Sequence, residues 1–129
     1  VVVSMVGVIF TNSVDQFPFQ LFVSNAEFVC DGQVAVAVVS KQDYKNLDGR
    51  GDIILNLLGQ IAGVEYIVLL KEQKDNQIGI SLRGKTKPVN HIAAAFGGGG
   101  HLFAAGAVVT DDNLENVRSK VIELIRGQL

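Results

Sequence analysis

Val64-Glu65-Tyr66-Ile67-Val68-Leu69-Leu70 decides the fold of this chain, because it is the strongest strand signal in the sequence. A polar segment, residues 71–76, follows it and leads to Ile78, Ile80 and Leu82. Apolar residues at every second position are typical of a strand with one buried face. Together the two stretches predict a hairpin of antiparallel strands, with the polar segment as its turn.

Toward the N-terminus the pattern alternates between helix and strand. Residues 34–39 are β-branched or alanine and follow the turn signal Asp31-Gly32, so they predict a buried strand that ends at the helix-start residue Ser40. The next helix ends at Gly63 and has one apolar face, made of Ile53, Ile54, Leu57, Leu58 and Ile61. A further helix is favoured over residues 16–28, with apolar positions at Phe17, Leu21, Phe22 and Phe28.

Toward the C-terminus, a short helix is predicted after Pro88, and the glycines at 97–100 end it. Its apolar positions are Val89, Ile92, Ala93 and Phe96. Residues 101–105 have a composition suitable for one or two helical turns, and residues 107–109 predict another strand.

A final helix is predicted to begin at Asp112 and Glu115, which resemble a capping box, and to end at Gly127. Its buried side carries Leu114, Val117, Val121, Leu124 and Ile125. These elements predict an α/β fold, a single domain in which one mixed β-sheet is covered by helices.

The chain has 129 residues, of which 48% are apolar and 19% charged, and a formal net charge of −2. This size and composition are typical of one globular domain. Because a surface that binds duplex nucleic acid carries clustered Lys and Arg, the charge excludes a broad surface of that kind. A nucleic-acid partner is therefore expected to be short and held by a few contacts.

Cys30 is the sole cysteine, which excludes an internal disulfide and any cysteine-based metal cluster. A single free cysteine is consistent with the cytoplasm, which we take as the expected location. The apolar opening, residues 1–10, is too short to span a bilayer, which requires about 20 residues, so no membrane contact is expected. Because position 1 is valine, we interpret the chain as processed or as part of a longer polypeptide.

The run Gly97-Gly98-Gly99-Gly100-His101 is the strongest candidate for a binding site. Glycines let the main chain approach a ligand closely and leave several N–H groups free to point at one anion. If a helix starts at His101, its N-terminus and a titratable imidazole add to that anion site. Phosphate is the expected ligand, and a mobile surface turn with an exposed histidine is the alternative.

Two further residues are candidate ligand contacts. Arg83 lies at the end of the second hairpin strand, on the face opposite Leu82, where a guanidinium can bind phosphate with two hydrogen bonds. A solvated surface arginine is the alternative. Asn90 lies at the start of the short helix before the glycines, where it either caps the helix or contacts the ligand.

Other polar residues are interpreted as structural. His91 is expected to face water, and Asp111 with Asp112 is explained by the start of the final helix. The sequence has no Asp/His spacing typical of a metal centre and no Gly-x-Ser-x-Gly motif. The chain is therefore expected to bind a substrate and to contain no catalytic or metal-binding residues of its own.

Three segments together resemble a known family. They are Ser81-Leu82-Arg83-Gly84, Val89-Asn90-His91-Ile92-Ala93-Ala94, and the glycine–histidine segment that continues to Ala107. This pattern is similar to the C-terminal DHH-associated domain of DHH-family phosphoesterases, above all to the small bacterial oligoribonucleases that also act on 3′-phosphoadenosine 5′-phosphate. The resemblance divides the chain into a connector with an N-terminal helical segment, residues 1–32, and a substrate-binding domain, residues 33–129.

The resemblance implies roles for the candidate residues. In such enzymes an N-terminal DHH lobe carries two divalent metals, usually manganese, and the C-terminal lobe holds the nucleotide. The glycine run, His101, Arg83 and Asn90 would then bind the phosphate and nucleotide of a short single-stranded RNA or a nucleotide phosphate. Two positions depart from the family pattern: Gly84 stands where serine is more common, and His91 where an acidic residue is common.

Two other classes of function remain open from the sequence. A related domain at the C-terminus of alanyl-tRNA synthetases suggests a non-catalytic RNA-binding module, although the net charge of −2 does not favour a broad RNA surface. The third is a scaffold or dimerisation domain in which the glycine run is only a turn. The oligomeric state is not determined by the sequence.

Overall fold

Six strands form one mixed sheet in residues 17–129, the part of the chain described by this computed structural model. The strands are β1 (Glu27–Val29), β2 (Val34–Val39), β3 (Tyr66–Glu72), β4 (Gln77–Gly84), β5 (Gly99–Gly100) and β6 (Ala104–Thr110). The helices are α1 (Phe19–Ser24), α2 (Lys41–Leu47), α3 (Gly51–Gly59), α4 (Asn90–Ala95) and α5 (Leu114–Arg126). This architecture confirms the predicted α/β fold, a single domain with a mixed sheet covered by helices.

The strand order is β1-β2-β3-β4-β6-β5. Strands β2 and β3 are parallel and are joined through α2 and α3, whereas every other neighbouring pair is antiparallel. The predicted hairpin is confirmed, because Tyr66 on β3 pairs with Gly84 on β4. The strand at 34–39 is also confirmed, and Ser40 caps α2 by accepting a hydrogen bond from the Asp43 amide at 3.3 Å.

Helices cover the two faces of the sheet unequally. Helices α4 and α5 cover one face, whose core includes residues of β2, β3, β4 and β6. Helices α1, α2 and α3 cover the other face, but the core there takes its strand residues from β2 and β3. On that side, β4, β5 and β6 present an uncovered surface that we call the open face: Ser81, Arg83, Gly99, Ala104, Gly106 and the exposed Val108.

Two helix predictions were wrong in part. The helix expected over residues 16–28 is α1, and residues 27–29 instead form β1, because they pair with β2 along the edge of the sheet. Residue 16 lies outside the described part of the chain, as does the apolar opening at 1–10. The helical turns expected at 101–105 do not form, because Ala104 pairs with Arg83 and begins strand β6.

The start of the final helix also differs from the prediction. The N-cap is Asn113, whose side chain accepts a hydrogen bond from the Asn116 amide at 2.8 Å. Asp112 lies one residue earlier, and its carboxylate accepts a hydrogen bond from the Asn113 amide at 2.8 Å. Val117, Val121 and Ile125 are buried as predicted, whereas Leu124 is exposed and Ile122 is buried instead. Gly127 is the C-cap, as predicted.

Replacing the N-cap Asn113 with alanine is expected to lower the free energy of unfolding by about 1 kcal/mol, because the Asn116 amide loses its acceptor. Urea denaturation measures the change. Glu115→Gln is the control and is expected to change stability by less than half as much. An equal or larger effect at Glu115 would show that the negative charge in the first turn, and not the Asn113 cap, stabilises this end of the helix.

The helices of residues 17–129 are all too short or too polar to cross a membrane.

Candidate functional site

The first two glycines of the run end helix α4. The Gly97 amide donates to the Ala94 carbonyl at 3.0 Å, and the Gly98 amide donates to the Ala93 carbonyl at 2.9 Å. Gly97 has a φ of +81°, the left-handed conformation that this kind of helix end requires. These two hydrogen bonds form a Schellman motif, so the end of the helix explains why residue 97 is glycine.

Close packing against β6 explains Gly98 and Gly100. A Cβ on Gly98 would lie 2.1 Å from the Gly106 carbonyl oxygen. A Cβ on Gly100 would lie 2.7 Å from the Ala104 carbonyl oxygen, and the φ of Gly100 is +148°. No L-residue fits either position without movement of the main chain.

Gly99 is different from the other three glycines. It has no positive φ, and a Cβ added to it would meet nothing within 4 Å. It pairs with Gly106, so it shares the open face, and it is exposed. Among the four glycines, this is the one whose missing side chain is not required by the protein's own fold.

The main-chain N–H groups of this segment are less available to a ligand than the sequence analysis predicted. Those of Gly97 and Gly98 are used at the helix end, and the His101 amide donates to the Ala104 carbonyl at 2.8 Å. No helix begins at His101, so a helix N-terminus contributes nothing to anion binding here. The amides of Gly97, Gly98 and His101 are therefore not free to bind an anion.

Two hydrogen bonds bring the predicted site residues to one end of the sheet. The Phe103 carbonyl accepts from the Gly84 amide at 3.0 Å, and the Leu102 carbonyl accepts from the Val89 amide at 2.8 Å. The turn after His101 is thus tied both to the end of β4, beside Arg83, and to the start of α4, beside Asn90. Val89 is the N-cap and Asn90 the first helical residue, so Asn90 does not have the capping role considered above.

Arg83 lies on the open face, as its position opposite Leu82 predicted. Its guanidinium forms an ion pair with Asp52 of α3, at 2.7 Å, and also donates to the Leu82 carbonyl at 3.3 Å. The Arg83 side chain is 29% exposed and the Asp52 side chain 76% exposed. Because Asp52 is largely in water, an incoming phosphate can compete with it for the guanidinium.

Lys71 is a second cation on this side of the sheet, and it was not among the residues predicted from the sequence. Its Nζ donates to Ser81 Oγ at 2.8 Å. Burial lowers the pKa of the Lys71 ammonium, the Asp52 carboxylate opposes this shift, and the Arg83 guanidinium adds to it. The signal was present in the alternation of β3, because Lys71 falls on the same face as Leu69 two residues earlier.

The residues interpreted as structural make structural contacts. His91 hydrogen-bonds to Gln128, whose side-chain amide also donates to the Tyr66 hydroxyl at 2.8 Å. Asp111 has a φ of +59° in the turn before the final helix. Within residues 17–129, no group of three or more His, Cys, Asp or Glu side chains is placed to hold a metal ion. The described residues therefore do not fit the metals that the family resemblance implies.

Comparison with known proteins identifies the family of this chain. Residues 31–127 match the family model of the DHHA1 domain. The bifunctional oligoribonuclease and PAP phosphatase NrnA of Mycoplasma genitalium is 36% identical over 101 residues, which cover 77% of this chain and 31% of that protein. The uncharacterized protein MG371 of the same organism is 32% identical over 98 residues, covering 74% of this chain and 30% of its own length.

Solved structures share the fold. An exopolyphosphatase-related protein from Bacteroides fragilis has a TM-score of 0.69 and 31% identity, over 82% of this chain and 32% of that chain. The pGpG-specific phosphodiesterase PggH from Vibrio cholerae has a TM-score of 0.64 at 9% identity, over 88% of this chain and 39% of its own, which shows the fold alone.

The chain spans about a third of the length of these relatives. The family match covers most of the chain and includes the three segments that carry the resemblance noted in the sequence. The chain therefore belongs to the DHHA1 domain family, the DHH-associated domain of phosphoesterases that its glycine–histidine segment predicted.

Proposed function

We propose that this chain is the substrate-binding lobe of a metal-dependent DHH-family phosphoesterase that hydrolyses short oligoribonucleotides or nucleotide phosphates. The observation that carries the proposal is the open face itself. Gly99, which the fold does not require to be glycine, lies on the same uncovered side of the sheet as the Arg83 guanidinium. A phosphate can approach the main chain closely at a glycine, and the Arg83 guanidinium on the same face can bind it.

In this proposal the chain binds and orients the substrate. Arg83 binds a phosphate in place of Asp52, the nucleotide rests against Gly99, and His101 and Asn90 border it at the same end of the sheet. Holding the reacting group in one position lowers the activation barrier without proton transfer by these residues. The similarity to NrnA, whose name records oligoribonuclease and PAP phosphatase activities, supports a nucleotide substrate.

The chemical step is assigned to a second domain. The resemblance implies an N-terminal DHH lobe in the same polypeptide with a divalent metal, usually manganese, and the described residues of this chain offer no ligand set for one. In this proposal the side chains of this chain bind the substrate and take no part in breaking the phosphate ester bond. The proposed location is the cytoplasm, and the proposed partners are that DHH lobe and a short single-stranded RNA or nucleotide phosphate.

Calorimetric titration of the chain with a 5′-phosphorylated diribonucleotide tests the proposal. Saturable binding is expected, and Gly99→Val is expected to weaken it about tenfold, because the new side chain occupies the space of the ligand. The melting temperature should stay within about 2 °C of the original, since a Cβ at Gly99 contacts nothing.

Gly127→Val is the matched control, because it places the same side chain at the end of α5, away from the open face. It should leave the affinity unchanged. Equal affinities for the original chain and Gly99→Val would remove Gly99 from the site. Tight binding of long duplex RNA with a steep salt dependence would instead favour a non-catalytic RNA-binding module.

A further inference from the structure

Lys71 reaches across strand β4 in a space that a glycine provides. Its own position on β3 is opposite Gly79, and its Nζ donates to Ser81 Oγ at 2.8 Å, two residues further along β4. A Cβ on Gly79 would lie 3.2 Å from Lys71 Cε and 2.4 Å from the Gln73 side-chain nitrogen. Glycine at position 79 thus lets the lysine stem lie over the strand, and Ser81 fixes the ammonium there.

The Lys71 ammonium and the Arg83 guanidinium lie on the same side of the sheet. Ser81 and Arg83 are two residues apart on one strand, which corresponds to about 7 Å. The two cations are close enough to affect each other, because Arg83 contributes to the lowered pKa of Lys71. Asp52, the carboxylate that offsets them, is hydrogen-bonded to Arg83 at 2.7 Å. The Asp52 carboxylate is therefore ion-paired with Arg83 and acts on Lys71 only at longer range.

The surface beside these cations is made of main chain. Ser81 pairs with Gly106 on β6, and Gly106 pairs in turn with Gly99 on β5. None of the three has a side chain larger than a hydroxymethyl group, and the core under α1–α3 does not extend over them. A ligand that lies on this row can contact Lys71 at one side and Arg83 at the other.

We propose that Lys71 is a specificity-determining residue of the open face, where its ammonium binds a second phosphate group of the nucleotide whose first phosphate Arg83 binds. This inference rests on the proposed function and names the substrate class more narrowly. The site takes nucleotides with two phosphate groups in preference to those with one. Ser81 is a positioning residue, since it acts by holding the ammonium.

A partly buried lysine whose ammonium has a single hydroxyl partner lowers the stability of the folded protein, so a functional reason for it is expected. Burial disfavours its charged form, and the structure shows no carboxylate within ion-pair distance of its Nζ among the described residues. A bound phosphate supplies the missing negative charge. Lys71 therefore fits a binding residue better than a residue kept for stability.

The test compares adenosine 5′-monophosphate with 3′-phosphoadenosine 5′-phosphate as ligands of the 129-residue chain. Lys71→Met keeps the length of the stem and removes the charge. It is expected to weaken binding of the bisphosphate about tenfold, the loss of one charge-assisted hydrogen bond, and to change binding of the monophosphate less than about twofold. Lys71→Arg should retain the preference, and Ser81→Ala should reduce it part of the way.

Lys74→Met is the matched control, because it removes the same charge from an exposed lysine in the turn of the same hairpin. It should leave both affinities unchanged. An equal loss for both ligands in Lys71→Met, or no loss for either, would overturn the role of Lys71. Arg83→Ala separates the two proposals. If it leaves both affinities unchanged, the proposed phosphate site is wrong. If Arg83→Ala weakens binding but Lys71→Met affects the two ligands alike, only the inference about Lys71 is overturned.

Discussion

The Gly98→Ala variant is expected to lose at least about 3 kcal/mol of stability, which corresponds to a fall of about 10 °C or more in melting temperature. A Cβ at this position would lie 2.1 Å from the Gly106 carbonyl oxygen and 2.6 Å from the Ala107 Cβ. Both neighbours belong to strand β6, which is paired with β4 on its other side, so the strand cannot move away without loss of hydrogen bonds. Thermal and urea unfolding measure the change.

Gly99→Ala is the matched control for this prediction, since it makes the same change one residue later. A Cβ there meets nothing within 4 Å, so the free energy of unfolding should stay within about 0.5 kcal/mol of the original. If the two variants unfolded alike, the close approach of the glycine segment to β6 would be incorrect. The pair thus separates the glycines that the fold requires from the one that the ligand is proposed to require.

Arg83→Ala is expected to weaken nucleotide binding by about 10- to 100-fold, because a charge-assisted hydrogen bond to phosphate contributes about 1.5–3 kcal/mol. Stability should change little, since the ion pair with Asp52 is open to water on the Asp52 side. Calorimetric titration with 3′-phosphoadenosine 5′-phosphate measures the affinity. Asp52→Asn is expected to act in the opposite direction and tighten binding, because it frees the guanidinium.

Arg126→Ala provides the control for the loss of a positive charge. Arg126 is exposed in the last turn of α5, which covers the opposite face of the sheet. It should leave the affinity unchanged. If Arg83→Ala and Arg126→Ala weakened binding equally, the nucleotide would be held by overall charge and not at the open face.

Local patterns predicted most of the secondary structure because their causes are local. The alternation at Ile78, Ile80 and Leu82 produced strand β4, and the periodic apolar residues from Ile53 produced helix α3. The errors arose where pairing between strands overrides local preference. Ala104 and Ala105 suit a helix by composition, but their pairing with β4 places them in a strand.

The sequence predicted where the candidate site lies but not the role of each residue in it. The sequence identified the glycine run, Arg83 and Asn90, and the structure brings them to one end of the sheet. The sequence alone could not distinguish Gly99 from the three other glycines, because the difference lies in how closely each one approaches strand β6. The contact between Lys71 and Ser81 was also beyond reach, since it joins side chains on adjacent strands.

The sequence by itself determined the fold class, the central hairpin, and membership of the DHHA1 domain family, because these depend on residue types in a fixed order along the chain. Only the tertiary structure decided which side of β4 is uncovered, which glycine is free for a ligand, and which carboxylate faces Arg83. Asp52 and Arg83 are 31 positions apart, and no local sequence pattern predicts the ion pair between them. Packing of α3 against β3 brings them together, and that contact exists only after the chain has folded.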